Sequence, residues 1–552
     1  MKSLFKYLLI LAVGSSVFYS CETTELDLLV TPNDLAVDQA DANLLLNSTQ
    51  LAYITNQEVL SDLGAEVVRI DYMFGLIYFN NYPGNTMSGS WARAYSSAGT
   101  PAVGMFTNIA AIEAINAESG GDFDFHLGIG KALQAHTLLQ LTDYIGEATW
   151  SEALNPAEFP APNLDSGEEI YATALGLLDE AEALLSGSNL IAPDNDLFYA
   201  GDTSKWIKMI NTVRLKAYQT TGNLAAFDQI IAGGNFISSI DDDFQFNYGT
   251  NVLNPDNRHP DYAADYTPSG ANIYQSNWLM NYMLEQDDPR LRYYFYRQQD
   301  MTPGADAPPN EEVLACSLAI PPDHYTGFVY CSVPNGYWGR SHGNDEGTPP
   351  DNFLRTAVGV YPAGGLFDDN TYDRLDLGTG GGGAGIAPIL LASYVDFWRA
   401  DRAMQAGNTT VALDFMMDGI DKSVEKVSSF AAVDANADLS FEPSSSDIVD
   451  FKASIESQFV SGDMMAKWNV LSQQYWVTLY GGATEAYNFY RRTGYPTTLA
   501  PSWEPEPGPF PRTFLYPANE VITNPSLTQK QTLTEQVFWD TNPAFPAFPP
   551  AN

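Results

Sequence analysis

Ser166-Gly167-Glu168-Glu169-Ile170-Tyr171-Ala172-Thr173-Ala174-Leu175-Gly176-Leu177-Leu178-Asp179-Glu180-Ala181-Glu182-Ala183-Leu184-Leu185-Ser186-Gly187 decides the fold class of this 552-residue chain. Ser166 and Glu169, three residues apart, form a capping box, in which hydroxyl and carboxylate each take a backbone N–H that a first helical turn leaves unpaired. Ile170, Ala174, Leu177, Ala181 and Leu184 then recur at helical spacing until Gly187 stops the run. Upstream, Ile129, Ala132, Leu133, His136 and Leu139 mark a second apolar face that ends at Gly146; downstream, Trp206, Ile210, Val213 and Ala217 mark a third that ends at Gly222. Short connections between them predict helical hairpins.

The character changes at about residue 236. Asp241-Asp242-Asp243, Asn254-Pro255-Asp256-Asn257, Pro303-Gly304, Pro321-Pro322, Pro349-Pro350 and Gly380 to Gly383 are turn and loop signals, and they predict a long irregular excursion with one embedded helix near Asn277 to Glu285. Helical periodicity returns in Leu390, Leu391, Tyr394, Phe397, Trp398 and Met404, closed by Gly407, and continues through Val411 to Val427 and Met464 to Tyr480. The proline-rich tail from Pro496 reads as coil wrapped on the body. The expected architecture is therefore mostly α: one body over 21–552, with a helical scaffold at about 40–235 and 386–495, a loop-rich insertion at about 236–385 and a coil-rich tail at 496–552. No strict repeat period is visible.

Composition bounds the partners. With 26 basic against 68 acidic side chains the formal net charge is −42, which repels nucleic-acid phosphates and anionic lipid. Aromatic residues make up 13% of the chain, and rings with polar tips suit surfaces that stack on flat ligands. At the N-terminus Lys2 and Lys6 precede the apolar run Leu8 to Val17 and then Phe18-Tyr19-Ser20-Cys21, which reads as a lipoprotein signal over 1–20 with acyl chains on Cys21; a secreted protein with an incidental cysteine is the alternative. The run is too short to span a bilayer, and nothing after Cys21 approaches the ~18 apolar residues that a membrane helix needs. Once Cys21 is acylated, Cys316 and Cys331 remain as an even pair, expected to form a disulfide outside the cytoplasm, against the alternative of two buried thiols.

Several segments, in order, resemble the SusD/RagB family of surface lipoproteins that capture nutrients for outer-membrane transporters. They are Ser90-Trp91-Ala92-Arg93-Ala94-Tyr95; Gly130-Lys131-Ala132-Leu133-Gln134-Ala135-His136 running to Asp143-Tyr144-Ile145-Gly146-Glu147-Ala148; Gly201-Asp202-Thr203-Ser204-Lys205-Trp206 with Asn211 and Arg214; Asp288-Pro289-Arg290-Leu291; Arg491-Arg492-Thr493-Gly494-Tyr495-Pro496; and Pro511-Arg512 with Tyr516-Pro517 and Glu520. Gln134-Ala135 departs from the family's usual Arg-Ala. The resemblance implies tetratricopeptide-like helix pairs with a loop-rich, ligand-facing insertion, a TonB-dependent transporter of the SusC type as partner, and a lipid-anchored location facing the cell exterior. Glu22, Glu25 and Asp27 after Cys21 are similar to the acidic export tags of such lipoproteins. Trp91 and Trp206, at helix starts in the matched segments, are assigned to packing.

Motifs of catalysis fail on context. Gly339-Arg340-Ser341-His342-Gly343 has the letters of a serine-hydrolase elbow, but the turn-forming stretch Asn344 to Pro350 follows where a helix is required. Gly378, Gly380 and Gly383 lie in a glycine-saturated run without a strand-turn-helix unit. Asp434, Asn436 and Asp438 begin like a calcium loop, yet Leu439 replaces the glycine and Ser445 the closing glutamate. His126, His136, His259, His324 and His342 show no metal-ligand spacing; a structural calcium, if one is bound, would sit among the carboxylates Asp241 to Asp243. No carboxylate pair stands out as a glycosidase acid and nucleophile. The chain therefore reads as a binder of oligosaccharides, not an enzyme, the alternatives being a cell-surface glycan-degrading enzyme and a peptide-capturing binder. Two clusters combine ring faces with fixed polar groups: Tyr72, Tyr78, Phe79 and Tyr82 with Asn80 and Asn81, ending at Pro83-Gly84; and Tyr325, Tyr330, Asn335, Tyr337, Trp338 and Arg340, in or beside the loop that Cys316 and Cys331 would pin.

Overall fold

The structure is a computed structural model that describes residues 40–95, 104–301, 320–330, 333–345 and 354–549. The leader, Cys21 and the Cys316 and Cys331 pair lie outside the described residues. From Ala42 onward the chain forms one compact unit. Its first part is α1 (Ala42–Val67), the short α2 (Tyr78–Asn81) and α3 (Ser88–Tyr95), then α4 (Met105–Ser119), α5 (Asp124–Ile145), α6 (Gly167–Leu185), α7 (Thr203–Thr221) and α8 (Leu224–Gly233). Among the described residues no helix is long and apolar enough to cross a membrane.

The capping box forms as the sequence requires: the Ser166 hydroxyl accepts the Glu169 N–H at 3.4 Å, and the Glu169 carboxylate accepts the Ser166 N–H at 3.0 Å. Ile170, Ala174, Leu177, Leu178, Ala181 and Leu185 bury one face of α6, whose main partner is α5. On α5 the expectation of a single apolar face is corrected, since every residue from Phe125 to Ile145 is buried. A helix covered on all sides must pair its polar groups inside the protein. Here Tyr53 of α1 bonds His136 Nδ1 at 2.7 Å and Gln57 bonds Gln140 at 2.6 Å. Asp143, with no exposed surface, accepts the Tyr171 hydroxyl at 2.5 Å, Asn488 Nδ2 at 2.6 Å and the Trp539 indole N–H at 3.0 Å, and lies 3.6 Å from Lys216 Nζ. Gly64 lets α1 approach closely: a Cβ there would meet the Tyr144 hydroxyl at 2.7 Å and the Ala483 carbonyl at 3.0 Å.

The excursion opens with β1 (Phe244–Asn247) and continues through α9 (Pro260–Asp265), α10 (Asn277–Glu285), α11 (Leu291–Tyr294), β2 (Phe295–Tyr296) and β3 (Ala357–Val358). It returns to the helical body at β4 (Ile386–Leu390), which pairs antiparallel with β1 through Phe244↔Leu390, Phe246↔Ala387 and Asn247↔Ile386. This ribbon clamps the two ends of the excursion together. β2 and β3 pair inside it, Phe295↔Val358 and Tyr296↔Ala357. The excursion is thus more structured than its turn signals predict, holding two helices besides the one expected near 277–285. The body resumes in α12 (Ala392–Gln405), α13 (Thr409–Ser428), α14 (Ser445–Ser461), α15 (Met464–Thr478) and α16 (Thr484–Thr493), and the tail carries α17 (Ala518–Thr523). Ser445, at the closing position of the rejected calcium loop, is the first residue of α14, with Ser444 and Asp447 as its capping box.

Trp206 is fully buried and Trp91 nearly so, each packed among neighbouring rings. The fold is mostly α with helix pairs and one large insertion.

Asp143 joins α5 to α6, α7, α16 and the tail, so Asp143→Ala should cost about 3–5 kcal/mol, because it takes the acceptor from three buried donors and leaves Lys216 only its pair with Glu485. Chemical unfolding would measure this, and a loss below about 1 kcal/mol would show that the tie does not bear on stability.

Candidate ligand-binding cavity

Three acidic residues on α1, Glu58, Asp62 and Glu66, are spaced four apart and so lie along one helical face. They line a cavity of about 470 Å³. Beyond α1 the chain turns at Arg69, in the left-handed region with φ 67°, where the guanidinium donates to the carbonyls of Val67 at 2.6 Å and Ala500 at 3.0 Å. That turn swings Asp71, Tyr72 and Phe74 across the cavity mouth. The opposite wall comes from the excursion: Pro260 and Asp261 at the start of α9, the segment Asn272 to Gln275, and Val358 and Pro362; Tyr480 and Gly481 complete it. An isolated antiparallel bridge, Asp71↔Gln275, ties the two walls.

The tyrosine and phenylalanine rings of the cavity are Tyr72, Phe74, Tyr274 and Tyr480. Phe74 is 56% exposed at the rim. Tyr72 meets Tyr274 edge-on at 5.6 Å and donates its hydroxyl to the Asn344 carbonyl at 2.5 Å. Tyr274 lies between two guanidiniums, with Arg340 4.2 Å and Arg355 3.7 Å from the ring centroid, and Arg340 also donates to its hydroxyl at 3.0 Å. A ring gripped in this way is a fixed part of the cavity wall, against which Tyr72 is set edge-on.

The carboxyls are electrostatically frustrated. Burial, reinforced by Asp261 against a hydrogen bond from Tyr248, raises Glu58 to about 7. Burial and Asp71 raise Glu66 to about 8, and burial with Asp261 raises Asp71 to about 7. Asp62 is pushed well up, first by burial and then by Asp261, Asp71, Glu66 and Glu58. Its side chain is open to the cavity, but that opening is walled by protein. Such groups accept hydrogen bonds when ionised and donate as well when protonated, which suits a ligand rich in hydroxyls.

The sequence-derived clusters are distributed over several places. Tyr72 lines the cavity and Arg340 supports Tyr274 from behind. Tyr78 is in the core, 3.0 Å from His342 Nε2 and edge-on to Phe510. Tyr82 is buried against Phe514, its hydroxyl 3.3 Å from Glu66. Phe79 is half exposed and lines none of these spaces. Tyr325 lines a second cavity of about 670 Å³ with Trp278 and Tyr282, two rings stacked at 5.9 Å. Tyr330 stacks on Trp503 at 4.4 Å. Asn335 and Tyr337 line a third groove, where Arg297 covers the Tyr337 ring at 4.8 Å. Trp338 is 2% exposed and donates its indole N–H to the Leu354 carbonyl at 2.7 Å.

Missed by the sequence reading were Glu58, Asp62, Glu66, Asp71, Asp261, Tyr274 and Gln275. The four-residue spacing of acids on α1 was a usable signal; Tyr274 had none. Of the carboxylates among which a calcium would sit if one is bound, Asp242 takes Lys208 and Asp243 takes Lys426, both at 2.7 Å. Among the described residues no group of three acidic, histidine or cysteine side chains could hold a metal.

Residues 32–306 match the family model SusD-like_2, described as "Starch-binding associating with outer membrane". No curated protein matches the chain. Among solved structures it is similar to a SusD/RagB family protein from Bacteroides thetaiotaomicron, with 16% identity and a TM-score of 0.64 over 91% of this chain and 100% of the other. A chitin-binding protein has 20% identity and a TM-score of 0.62 over 91% and 100% of the two chains. A chitin-binding SusD homolog from Flavobacterium johnsoniae has 17% identity and a TM-score of 0.56 over 91% and 99%. The sequence match through the first helices and into the insertion, with a fold shared along most of its length, makes this chain a member of the SusD-like family.

Proposed function

We propose that this protein captures oligosaccharides at the exterior face of an outer membrane, tethered there by acylated Cys21, and hands them to a TonB-dependent transporter of the SusC type without chemical conversion. The family description, starch binding in association with the outer membrane, supports glycan capture and its location. Two solved relatives of the same fold carry names that describe chitin binding. The observation that carries the reading is the cavity itself: Tyr72 and Phe74, the latter exposed at the rim, share it with a row of carboxyls. Flat rings take the C–H face of a sugar and carboxyls take its hydroxyls.

Capture is favoured over hydrolysis by the family description, which names binding. Incubation with a glycan panel separates the readings: affinity without new reducing ends supports capture, whereas release of reducing ends would overturn it.

Phe74→Ala should weaken glycan binding about tenfold or more while leaving the unfolding midpoint nearly unchanged, because the ring lines the cavity at its exposed rim and is not core. Trp338→Ala should do the reverse, costing about 3–5 kcal/mol of stability; calorimetry for both variants checks the assignment. The raised carboxyls also set a pH dependence. The folded chain keeps their protons to about pH 7–8, whereas the unfolded chain releases them near 4, so unfolding releases protons in that window and stability falls as pH rises through it. Glu66→Gln removes one such group and keeps an acceptor for Tyr82, so its thermal midpoint should exceed the parent's by about 1–3 °C at pH 8.5, with the gain absent at pH 4.

A further inference from the structure

One face of α10 carries a second set of groups fit for a sugar. The start of the helix is fixed: the Ser276 hydroxyl accepts the Leu279 N–H at 3.4 Å and donates to the Arg69 carbonyl at 2.7 Å, and the Asn277 N–H donates to the Arg340 carbonyl at 3.0 Å. Leu279, Met280 and Met283 are buried. Trp278, Asn281, Tyr282 and Glu285 follow one another at spacings of three and four and so share a face. All four line the cavity of about 670 Å³.

The two rings of this face stack nearly parallel, 5.9 Å between centroids and 7° between planes. Their polar atoms are already held: the Trp278 indole N–H donates to the Thr498 carbonyl at 2.9 Å, and the Tyr282 hydroxyl accepts Gln474 Nε2 at 3.0 Å. A ring fixed by the protein costs a ligand no ordering. Trp278 is partly exposed, and Phe328, 37% exposed, adds a further ring to the cavity rim. Of the other polar lining groups, Gln473 Nε2 is taken by Thr498 Oγ1 at 2.8 Å and Thr497 Oγ1 by Asn469 Nδ2 at 3.0 Å.

Asn281 and Glu285 are free to read a ligand. Asn281 reaches solvent in part and Glu285 openly, and neither side chain takes a hydrogen bond or ion pair among the described residues. A sugar hydroxyl reproduces the hydrogen bonds of the water it displaces from such groups. The amide donates and accepts, and the carboxylate accepts. No lysine or arginine lines the cavity among the described residues, so an acidic sugar would bring its charge to Glu285 without a counter-charge.

We propose that this cavity is a second carbohydrate site, separate from the one along α1, and that it takes a neutral hexopyranose unit. Trp278, backed by Tyr282, receives an apolar ring face, and Asn281 and Glu285 hold the hydroxyls. The class of ligand rests on the glycan-capture reading above; the place is a different one. A glycan long enough to reach both cavities would be held twice, and its escape slowed accordingly.

Titration calorimetry of the full chain with maltotriose and with N-acetylated chitotriose tests this. The sugar that binds should occupy two sites per chain, of which Phe74→Ala weakens one and leaves the other. In that background Asn281→Ala or Glu285→Ala should weaken the remaining site about fivefold or more, with the thermal midpoint nearly unchanged because both side chains reach solvent. Trigalacturonate, an acidic counterpart, should not compete for it. One site per chain that neither Asn281→Ala nor Glu285→Ala alters would overturn the inference and leave capture at the first cavity standing. Binding of trialanine but of no sugar, or of neither, would overturn both.

Discussion

Asp143 is the point on which the described body depends. Its carboxylate has no exposed surface, and it draws together Tyr171 of α6, Lys216 of α7, Asn488 of α16 and Trp539 of the tail around the central helix α5. An ionised group taken out of water is tolerable only when its lone pairs are occupied, so the four elements must arrive together or the charge is stranded. Elements distant in sequence are thereby bound to one side chain. That explains how a chain of helix pairs without a strict repeat closes into one unit instead of an open stack.

The same electrostatic rule distinguishes the cavity from the core. Within the scaffold, buried acids such as Asp143, Asp288, Asp368 and Asp540 are matched to bases; the acids along the outward face of α1 are open or half-open to the cavity and share its wall with no lysine or arginine among the described residues. Functional sites are where local rules of stability are expected to fail, and the cost is borne by the rest of the fold. The cavity is also where the two halves of the architecture meet. The turn at Arg69 delivers the early loop, the β1–β4 ribbon pins the insertion, and the Asp71↔Gln275 bridge joins them. Gly64 contributes by letting the end of α1 seat against Tyr144, so that Glu58, Asp62 and Glu66 stay on the outward side.

Helices were legible because their signals are local. The Ser166–Glu169 box and the apolar stripes of α6 and α7 depend on residues three and four apart, and folding changes nothing in that spacing. The insertion was legible as an irregular region but not in its contents, because the two-residue strands β2 and β3 are too short to carry a period. Aromatic clusters misled for a related reason. Tyr78, Tyr82, Tyr337 and Trp338 look alike in sequence whether their polar tips face a ligand or the protein, and here internal partners take them: His342, Glu66, Asp368 and the Leu354 carbonyl.

From the sequence alone came a mostly helical body, an interrupting loop-rich segment, an acidic surface and the expectation of a binder, since composition and short-range period survive without coordinates. Only the tertiary structure decided which rings face open space and which acids lack a base. Exposure and charge pairing are properties of residues brought together across hundreds of positions: Glu58 with Asp261, Asp71 with Gln275, Tyr274 with Arg340 and Arg355. A one-dimensional pattern holds no record of those distances.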